Sequence, residues 1–150
     1  MDDARLIDAA AAAIAGCEAL IVTAGAGMGI DSGLPSFRGT AGFWRSYPPL
    51  AGLGLRFADV ANPEMFFRSP RQAWGFYAHR LRLYRHTRPH AGYSILKSIS
   101  DSRRLGGFVV TSNVDEHFQA AGFQAGQVLE CHGSITHLQC ALPCSGEIWP

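Results

Sequence analysis

Residues 20–39 read Leu-Ile-Val-Thr-Ala-Gly-Ala-Gly-Met-Gly-Ile-Asp-Ser-Gly-Leu-Pro-Ser-Phe-Arg-Gly, and this stretch decides the fold. The apolar run from Leu20 to Val22 predicts a short buried strand of the parallel type. Gly25, Gly27 and Gly29 follow it and remove the Cβ atoms where a helix exposes its unpaired N–H groups. Because such a backbone binds phosphate, the stretch predicts a nucleotide site.

The spacing of these glycines does not match the usual dinucleotide fingerprint. They are arranged as G-x-G-x-G rather than G-x-G-x-x-G, and no acidic residue that ends a second strand is evident about 20 residues later. Taken alone, the glycines leave two interpretations open, a pyrophosphate site and a turn that needs glycine only for packing.

Three segments and a cysteine pair together resemble the sirtuin (Sir2) family of NAD-dependent protein deacylases. Residues 25–38 are similar to the family's first NAD-binding motif, and residues 111–115, Thr-Ser-Asn-Val-Asp, resemble its Thr-Gln-Asn-Ile-Asp motif. His132 and Gly133 resemble its catalytic His-Gly pair, and Cys140 and Cys144 lie where its zinc module begins. The resemblance covers nearly the whole chain, which we expect to be truncated within the zinc module.

The resemblance implies an enzyme that deacylates lysine side chains with NAD as co-substrate, releases nicotinamide and forms O-acyl-ADP-ribose. Its partner would be an acylated-lysine protein or peptide. A mono-ADP-ribosyltransferase and an NAD glycohydrolase are alternatives on the same fold. A non-catalytic module that binds NAD or ADP-ribose is a third alternative.

The resemblance also assigns roles to individual residues. His132 would be the general base, a task that suits a side chain titrating near neutrality, and Asn113 would be catalytic by ordering a water. The residues implied in NAD binding are Gly25, Ala26, Gly27, Phe37, Arg38, Ser112, Asn113 and Asp115. Without the resemblance, Asn113 and Asp115 are equally typical of an Asx turn that closes a strand.

Three positions depart from the family pattern. Gly29 stands where the family usually has Ser, Ser36 where it has Asp, and Ser112 where it has Gln. The first two changes remove a hydroxyl and a carboxylate from the expected NAD site, and the third shortens a ribose contact. These departures keep the transferase and glycohydrolase alternatives open.

Cys140 and Cys144 are separated by three residues, a spacing that zinc knuckles use. Two thiolates make half of a tetrahedral site, and the resemblance implies that a second cysteine pair follows beyond Pro150. Cys131 and His137 are a local alternative for the missing ligands. We therefore predict a structural zinc ion bound by Cys140 and Cys144, with the site incomplete in this chain.

Length and composition predict one globular unit. The chain has 150 residues with 47% hydrophobic content and a formal net charge of +1, enough for an ordinary core. Residues 1–136 are expected to form the N-terminal part of a Rossmann-like NAD-binding domain, and residues 137–150 the beginning of a small zinc module. The arginines are scattered rather than clustered, so nucleic acid is not a predicted partner.

The chain shows no sign of export or of membrane insertion. Asp2 and Asp3 lie where a secretory signal carries basic residues, and no uninterrupted apolar run reaches about 18 residues. Four cysteines without an export signal favour reduced thiols or metal ligands. We therefore expect a cytoplasmic protein with no membrane partner.

Sequence patterns predict an α/β fold, a Rossmann-like parallel sheet with helices on both faces. The predicted strands are 19–24, 108–111 and 128–131, and the helices 3–15, 70–86 and 90–100, with helical turns near Ile30 and over 116–121. Proline after a capping residue predicts helix starts at Asn62-Pro63 and Ser69-Pro70. Residues 43–55 are predicted to be a mobile loop.

Helix 70–86 carries aromatic residues with arginines between them. Trp74, Tyr77, Leu81 and Tyr84 recur at helical spacing, which predicts a buried stripe. Arg80, Arg82 and Arg85 are predicted to lie on a solvated flank.

Overall fold

The computed structural model describes residues 2–36, 39–142 and 144–150, with only the backbone of Thr40. A parallel sheet holds β1 (Leu20–Ala24), β2 (Gly107–Thr111) and β3 (Val128–Glu130), in the order β1-β2-β3. Leu20 is in register with Gly107, and Val109 with Val128. A second, antiparallel pair joins β4 (Leu138–Gln139) to β5 (Ile148–Trp149). The parallel sheet confirms the predicted α/β fold.

Helices connect and flank the strands of the parallel sheet. In chain order they are α1 (Asp3–Gly16), α2 (Ala26–Asp31), α3 (Gly39–Ser46), α4 (Pro48–Gly52), α5 (Phe57–Val60), α6 (Met65–Arg68), α7 (Pro70–His86), α8 (Ala91–Asp101) and α9 (His117–Ala120). The prediction that a helical turn starts near Ile30 was wrong, because α2 begins directly after Gly25 and ends at Asp31.

The segment predicted as a mobile loop, 43–55, is helical over much of its length. The prediction failed because Pro48 and Pro49 occupy the first turn of α4, where a missing N–H breaks no intrahelical bond. Packing also orders the segment. Phe43 is completely buried, and Trp44 Nε1 donates to the Leu55 carbonyl at 2.7 Å.

Helix α7 begins at Pro70 as predicted, but it buries a different face. Its buried residues are Ala73, Phe76, Arg80 and Tyr84, whereas Trp74 is 53% exposed. The predicted stripe included Tyr84 correctly but placed Trp74 inside and Arg80 outside. The apolar pattern misled because Arg80 is buried by stacking on aromatic rings, which hydropathy does not register. Helix α6 starts two residues after Pro63, and Asn62 Oδ1 accepts from Glu64 N–H at 3.0 Å.

Two apolar clusters form the core. One packs Tyr93 and Phe118 against Val109 of β2, and the other packs Phe43 and Val60 against Phe76 of α7. On the sheet face opposite Val109, three large apolar side chains of the described residues are exposed, namely Ile21, Phe108 and Leu129. No helix in the described residues has the length and apolarity needed to cross a bilayer.

Candidate active site

The carboxyl ends of the three parallel strands open onto one cavity of about 520 Å³. Such an edge is where α/β sheets bind ligands, because the loops that leave neighbouring strands meet there. Of the predicted site residues, the cavity brings together Ala26, Ser112, Asn113, Asp115 and His132. Gly25 and Gly27 flank Ala26 in the chain. Phe37 and Arg38 lie outside the described residues.

The glycine-rich turn presents backbone to the cavity. Gly25 is the extended residue before α2, so the N–H groups of Ala26 and Gly27 fall in the first turn, where an α-helix lacks intrahelical partners for them. A Cβ at position 27 would meet no atom of the described residues within 4 Å. The turn therefore allows an anionic group to approach its backbone closely, as a dinucleotide pyrophosphate requires.

Gly29 allows a close approach between this turn and Asp115. A Cβ at position 29 would lie 3.2 Å from Asp115 Oδ2 and 3.1 Å from Leu34 Cδ1. These separations are tighter than ordinary van der Waals contact, so a side chain there would push against the carboxylate. In this chain, the Ser that the family usually has at position 29 would be crowded by Leu34 and Asp115.

Asn113 and Asp115 are held by the end of β2. Thr111 Oγ1 donates to the Ala24 carbonyl at 3.2 Å and accepts from the Asn113 N–H at 3.0 Å, which ties β2 to β1. Asn113 is 8% exposed, and its Nδ2 has no hydrogen bond of standard geometry within the described residues. The Tyr93 phenol interacts with the Asn113 side chain, and a buried amide donor whose bond is poorly formed fits a ligand acceptor such as a ribose oxygen.

The Asp115 carboxylate is almost completely buried beneath the cavity. Its side chain is 6% exposed, and its Oδ1 accepts from the His117 N–H at 3.0 Å. The ring of His117 is 5.5 Å from that of Tyr93 and perpendicular to it. Burial raises the pKa of Tyr93, and the nearby Asp115 charge raises it further. Tyr93 therefore remains a neutral phenol next to Asp115 and His117.

His132 occupies the first turn after β3, at the same edge. The Cys131 N–H donates to the Thr111 carbonyl at 2.9 Å, which extends the sheet pairing up to this turn. Gly133 has φ of 71°, a left-handed conformation that favours glycine, and it lets the chain reverse after His132. The ring of His132 is exposed and also lines a second cavity of about 1000 Å³ between α7 and residues 130–139.

The sequence analysis missed a buried cation in the first cavity. Arg80 is 8% exposed, its guanidinium carbon lies 5.2–5.4 Å from the ring centres of Phe57, Phe76 and Tyr84, and its Nη2 donates to Tyr84 Oη at 2.8 Å. The sequence did contain a signal for this contact: Phe76 and Tyr84 lie four residues before and after Arg80. Residues four apart share one helix face, so their rings can stack on the guanidinium.

Glu116 is a second residue that the sequence analysis missed. Its backbone is left-handed, with φ of 58°, and its carboxylate accepts from the hydroxyls of Ser134 and Thr136. It also raises the pKa of Glu130, for which burial is the larger cause. These contacts join residues 18 and 20 positions apart in sequence, so no local pattern indicated them.

The Sγ atoms of Cys140 and Cys144, the predicted zinc ligands, lie 2.8 Å apart. Across residues 2–36, 39–142 and 144–150, no three metal-ligating side chains form a group, so Cys131 and His137 do not complete the set. Zinc in structural sites takes four ligands in a tetrahedron. By donor type the two thiols suit half of such a site, and the local alternative for the other half was wrong within the described residues.

A family model and several known proteins match this chain. The model for the Sir2 family matches residues 25–148. The NAD-dependent protein deacylase of Aquifex aeolicus is 32% identical over 128 residues, which are 85% of this chain and 48% of that protein. The mitochondrial NAD-dependent protein deacylase sirtuin-5 of Monodelphis domestica is 33% identical over 81% of this chain and 36% of its own length.

Solved structures give the same result. A Sir2 homologue mutant in complex with 2'-O-acetyl ADP-ribose superimposes with a TM-score of 0.72 at 28% identity, covering 99% of this chain and 53% of the other. A Sir2 homologue bound to NAD gives a TM-score of 0.72 at 27% identity, over 91% of this chain and 48% of the other. The chain therefore spans about half the length of the relatives that it matches, or less.

Proposed function

The chain belongs to the Sir2 family, and from that premise we propose that it forms the NAD-binding part of a protein lysine deacylase. The substrate would be an acylated-lysine protein or peptide, and the products nicotinamide, the free lysine and O-acyl-ADP-ribose. One observation carries the proposal: Asn113, Asp115 and His132 line the same cavity as the glycine-rich turn at Ala26.

Each of these residues suits one task in that reaction. The first turn of α2, with Gly25, Ala26 and Gly27, would bind the phosphates, while the buried Asp115 carboxylate would accept from the nicotinamide carboxamide. Asn113 would contact the ribose, and His132 would take the proton from a ribose hydroxyl. NAD supplies the ribose carbon that the acyl oxygen attacks as nicotinamide leaves. Phe37, Arg38 and Ser112 complete the proposed binding set.

A second proposal concerns the acyl group. The Arg80 guanidinium lines the cavity that holds His132, and the ring centres of Phe57, Phe76 and Tyr84 lie within 5.4 Å of its central carbon. A buried guanidinium attracts a carboxylate strongly and pairs with it through its donor fork. We propose that acyl groups ending in a carboxylate are better substrates than acetyl.

The remaining proposals concern domain limits, metal and location. Residues 1–136 would form part of the NAD-binding domain and residues 137–150 the beginning of a zinc module, in which Cys140 and Cys144 supply two ligands. The proximity of two thiols, a donor type that zinc prefers, supports that metal role. Four free cysteines among the described residues support a reducing compartment such as the cytoplasm.

The test compares products from NAD with and without an acyl-lysine peptide, using the gene product and mass spectrometry. Peptide-dependent formation of both nicotinamide and O-acyl-ADP-ribose is expected. Nicotinamide release that does not depend on the peptide would favour the glycohydrolase, and an ADP-ribosylated peptide would favour the transferase. ADP-ribose binding in calorimetry without any turnover would identify a non-catalytic module.

A further inference from the structure

A polar network centred on Glu116 joins the two loops that carry the site. Ser134 Oγ donates to Glu116 Oε1 at 2.7 Å, and Thr136 Oγ1 donates to the same oxygen. His137 Nδ1 lies 3.3 Å from that oxygen and forms an ion pair with it when protonated. A single carboxylate thus contacts three side chains of the segment 134–137.

The two joined segments lie directly beside the residues of the proposed reaction. Glu116 follows Asn113 and Asp115 in one loop, and Ser134 follows His132 and Gly133 in the other. One backbone bond connects the same loops, from the Ile135 N–H to the Val114 carbonyl at 3.0 Å. Gly133, with its left-handed backbone, stands between His132 and the network. The network therefore limits how far the chain beyond this glycine can move.

The backbone at Glu116 is itself unusual. Among the described residues other than glycine, Glu116 alone has a positive φ. Glutamate adopts this conformation at a cost, and such residues persist where surrounding contacts hold them, often at functional sites. In this chain the strained backbone directs the carboxylate toward Ser134 and Thr136.

We propose that Glu116 is a positioning residue, which fixes the His132 turn relative to Asn113 and Asp115. The inference rests on the proposed function, because it assigns Glu116 to the geometry of that reaction. Glu116 acts through Ser134 and Thr136 and does not touch the reacting atoms. When its acceptor oxygen is lost, the Ile135–Val114 backbone bond still joins the two loops, but the side-chain contacts that hold residues 134–137 are gone, and the His132 turn becomes more mobile at the cavity.

The test compares three variants of the gene product. Glu116→Ala removes the acceptor oxygen, whereas Glu116→Gln keeps an amide oxygen that can accept hydrogen bonds from both hydroxyls. Glu64→Ala is the matched control, because Glu64 is also ion-paired, but its partner is Arg68, at 3.0 Å one helical turn away, rather than the segment 134–137. We expect Glu116→Ala to lower kcat about 10- to 100-fold with KM for NAD within about twofold. Glu116→Gln should stay within about threefold of the wild type, since both hydroxyl contacts remain.

A second readout does not depend on turnover. NMR relaxation of the ligand-free protein should show the Gly133 and Ile135 amides losing order in Glu116→Ala, from order parameters of about 0.85 to below about 0.6. Glu116→Gln and Glu64→Ala should leave these amides ordered. If the wild-type protein cleaves no NAD, the proposed function fails, and the NMR comparison alone decides the positioning role.

Two results would overturn the inference. In one, the Gly133 and Ile135 amides remain ordered in Glu116→Ala. In the other, the two amides lose order and kcat falls to the same extent in Glu116→Gln and Glu116→Ala. That result would mean that the charge of Glu116 or the stability of the fold, rather than the acceptor oxygen, causes the loss of activity. Ser134→Ala combined with Thr136→Val adds a double-mutant test. In that background, Glu116→Ala should cost little further activity, since its partners are already absent.

Discussion

His117 Nδ1 lies 3.9 Å from Asp115 Oδ2, with both side chains at least 94% buried, as their exposures of 2% and 6% show. His117 Nε2 is 3.1 Å from the Thr87 carbonyl, which only accepts, so the ring proton of a neutral His117 is on Nε2. Its Nδ1 then carries a lone pair and cannot donate to the carboxylate. Asp115 Oδ2 is therefore left to accept from a bound amide, as the proposed nicotinamide contact requires.

Replacing Gly29 with alanine should weaken ligand binding through Asp115. The new Cβ would lie 3.2 Å from Oδ2, so the carboxylate must shift by a few tenths of an ångström. The gain in helix propensity, about 1 kcal/mol, offsets the crowding, and we expect a nearly unchanged Tm. Calorimetry should show nicotinamide binding weakened about 3- to 10-fold, or about 0.7–1.4 kcal/mol, while ADP-ribose, which lacks the carboxamide, should bind as it does to the wild type. Gly75→Ala, where a Cβ meets nothing, is the control, and unchanged nicotinamide affinity in Gly29→Ala would contradict the expectation.

Replacing His132 with asparagine should separate binding from turnover. The imidazole is exposed at the cavity edge, and its proposed role is that of a base rather than a packing residue, so the fold and ADP-ribose affinity should change little. Loss of a general base costs about 10²- to 10⁴-fold in rate. Steady-state kinetics and calorimetry on the same preparation check both parts, with His86→Asn, exposed at the end of α7, as the control. Turnover within threefold of the wild type would remove His132 from the mechanism.

The parts of the site that the sequence predicted lie directly after strands. Ala26, Asn113 and His132 each follow a short apolar run, and the carboxyl ends of parallel strands meet at one edge. Local patterns therefore sufficed to predict that these residues gather. The strand limits were likewise correct to within about one residue, because β1 and β2 are bounded by glycine and by polar turns.

The parts that the sequence did not predict depend on contacts between distant segments. Arg80 is buried because Phe57, from a separate helix, covers its guanidinium, and no hydropathy pattern contains that contact. Glu116 gained its role from hydroxyls 18 and 20 residues later. Phe43 became a core residue because residues 43–55 fold as helices against α7, where prolines had indicated a loop.

Replacing Arg80 should change acyl selectivity more than overall activity. Arg80→Met keeps a long side chain among the aromatic rings but removes the positive charge that would face an acyl carboxylate. We expect the ratio of kcat/KM for succinyl-lysine over acetyl-lysine peptide to fall at least about tenfold, or 1.4 kcal/mol. Arg82→Met, exposed on the same helix, should leave the ratio unchanged. An equal loss with both peptides would assign Arg80 to stability alone.

Glu130 should make stability depend on pH through its raised pKa. Burial is the larger cause and the Glu116 charge the second, so the folded protein disfavours ionised Glu130. The pKa of Glu130 in the folded protein exceeds its value in the unfolded chain, about 4.3. The contribution of Glu130 to the free energy of unfolding is therefore favourable below the unfolded pKa and is lost as the pH rises through the folded pKa.

Glu130→Gln should therefore stabilise the protein at pH 7, by about 1–2 °C in Tm, because it removes the carboxylate that burial penalises. The difference from wild type should become small as the pH falls to 4, where Glu130 is mostly protonated in both the folded and the unfolded protein. Thermal unfolding followed by circular dichroism at pH 4, 5, 6 and 7 checks the trend. Glu64→Gln, an exposed site, is the control. If the Tm of Glu130→Gln minus that of the wild type is lower at pH 7 than at pH 4, the charged carboxylate stabilises the fold and the expectation is wrong.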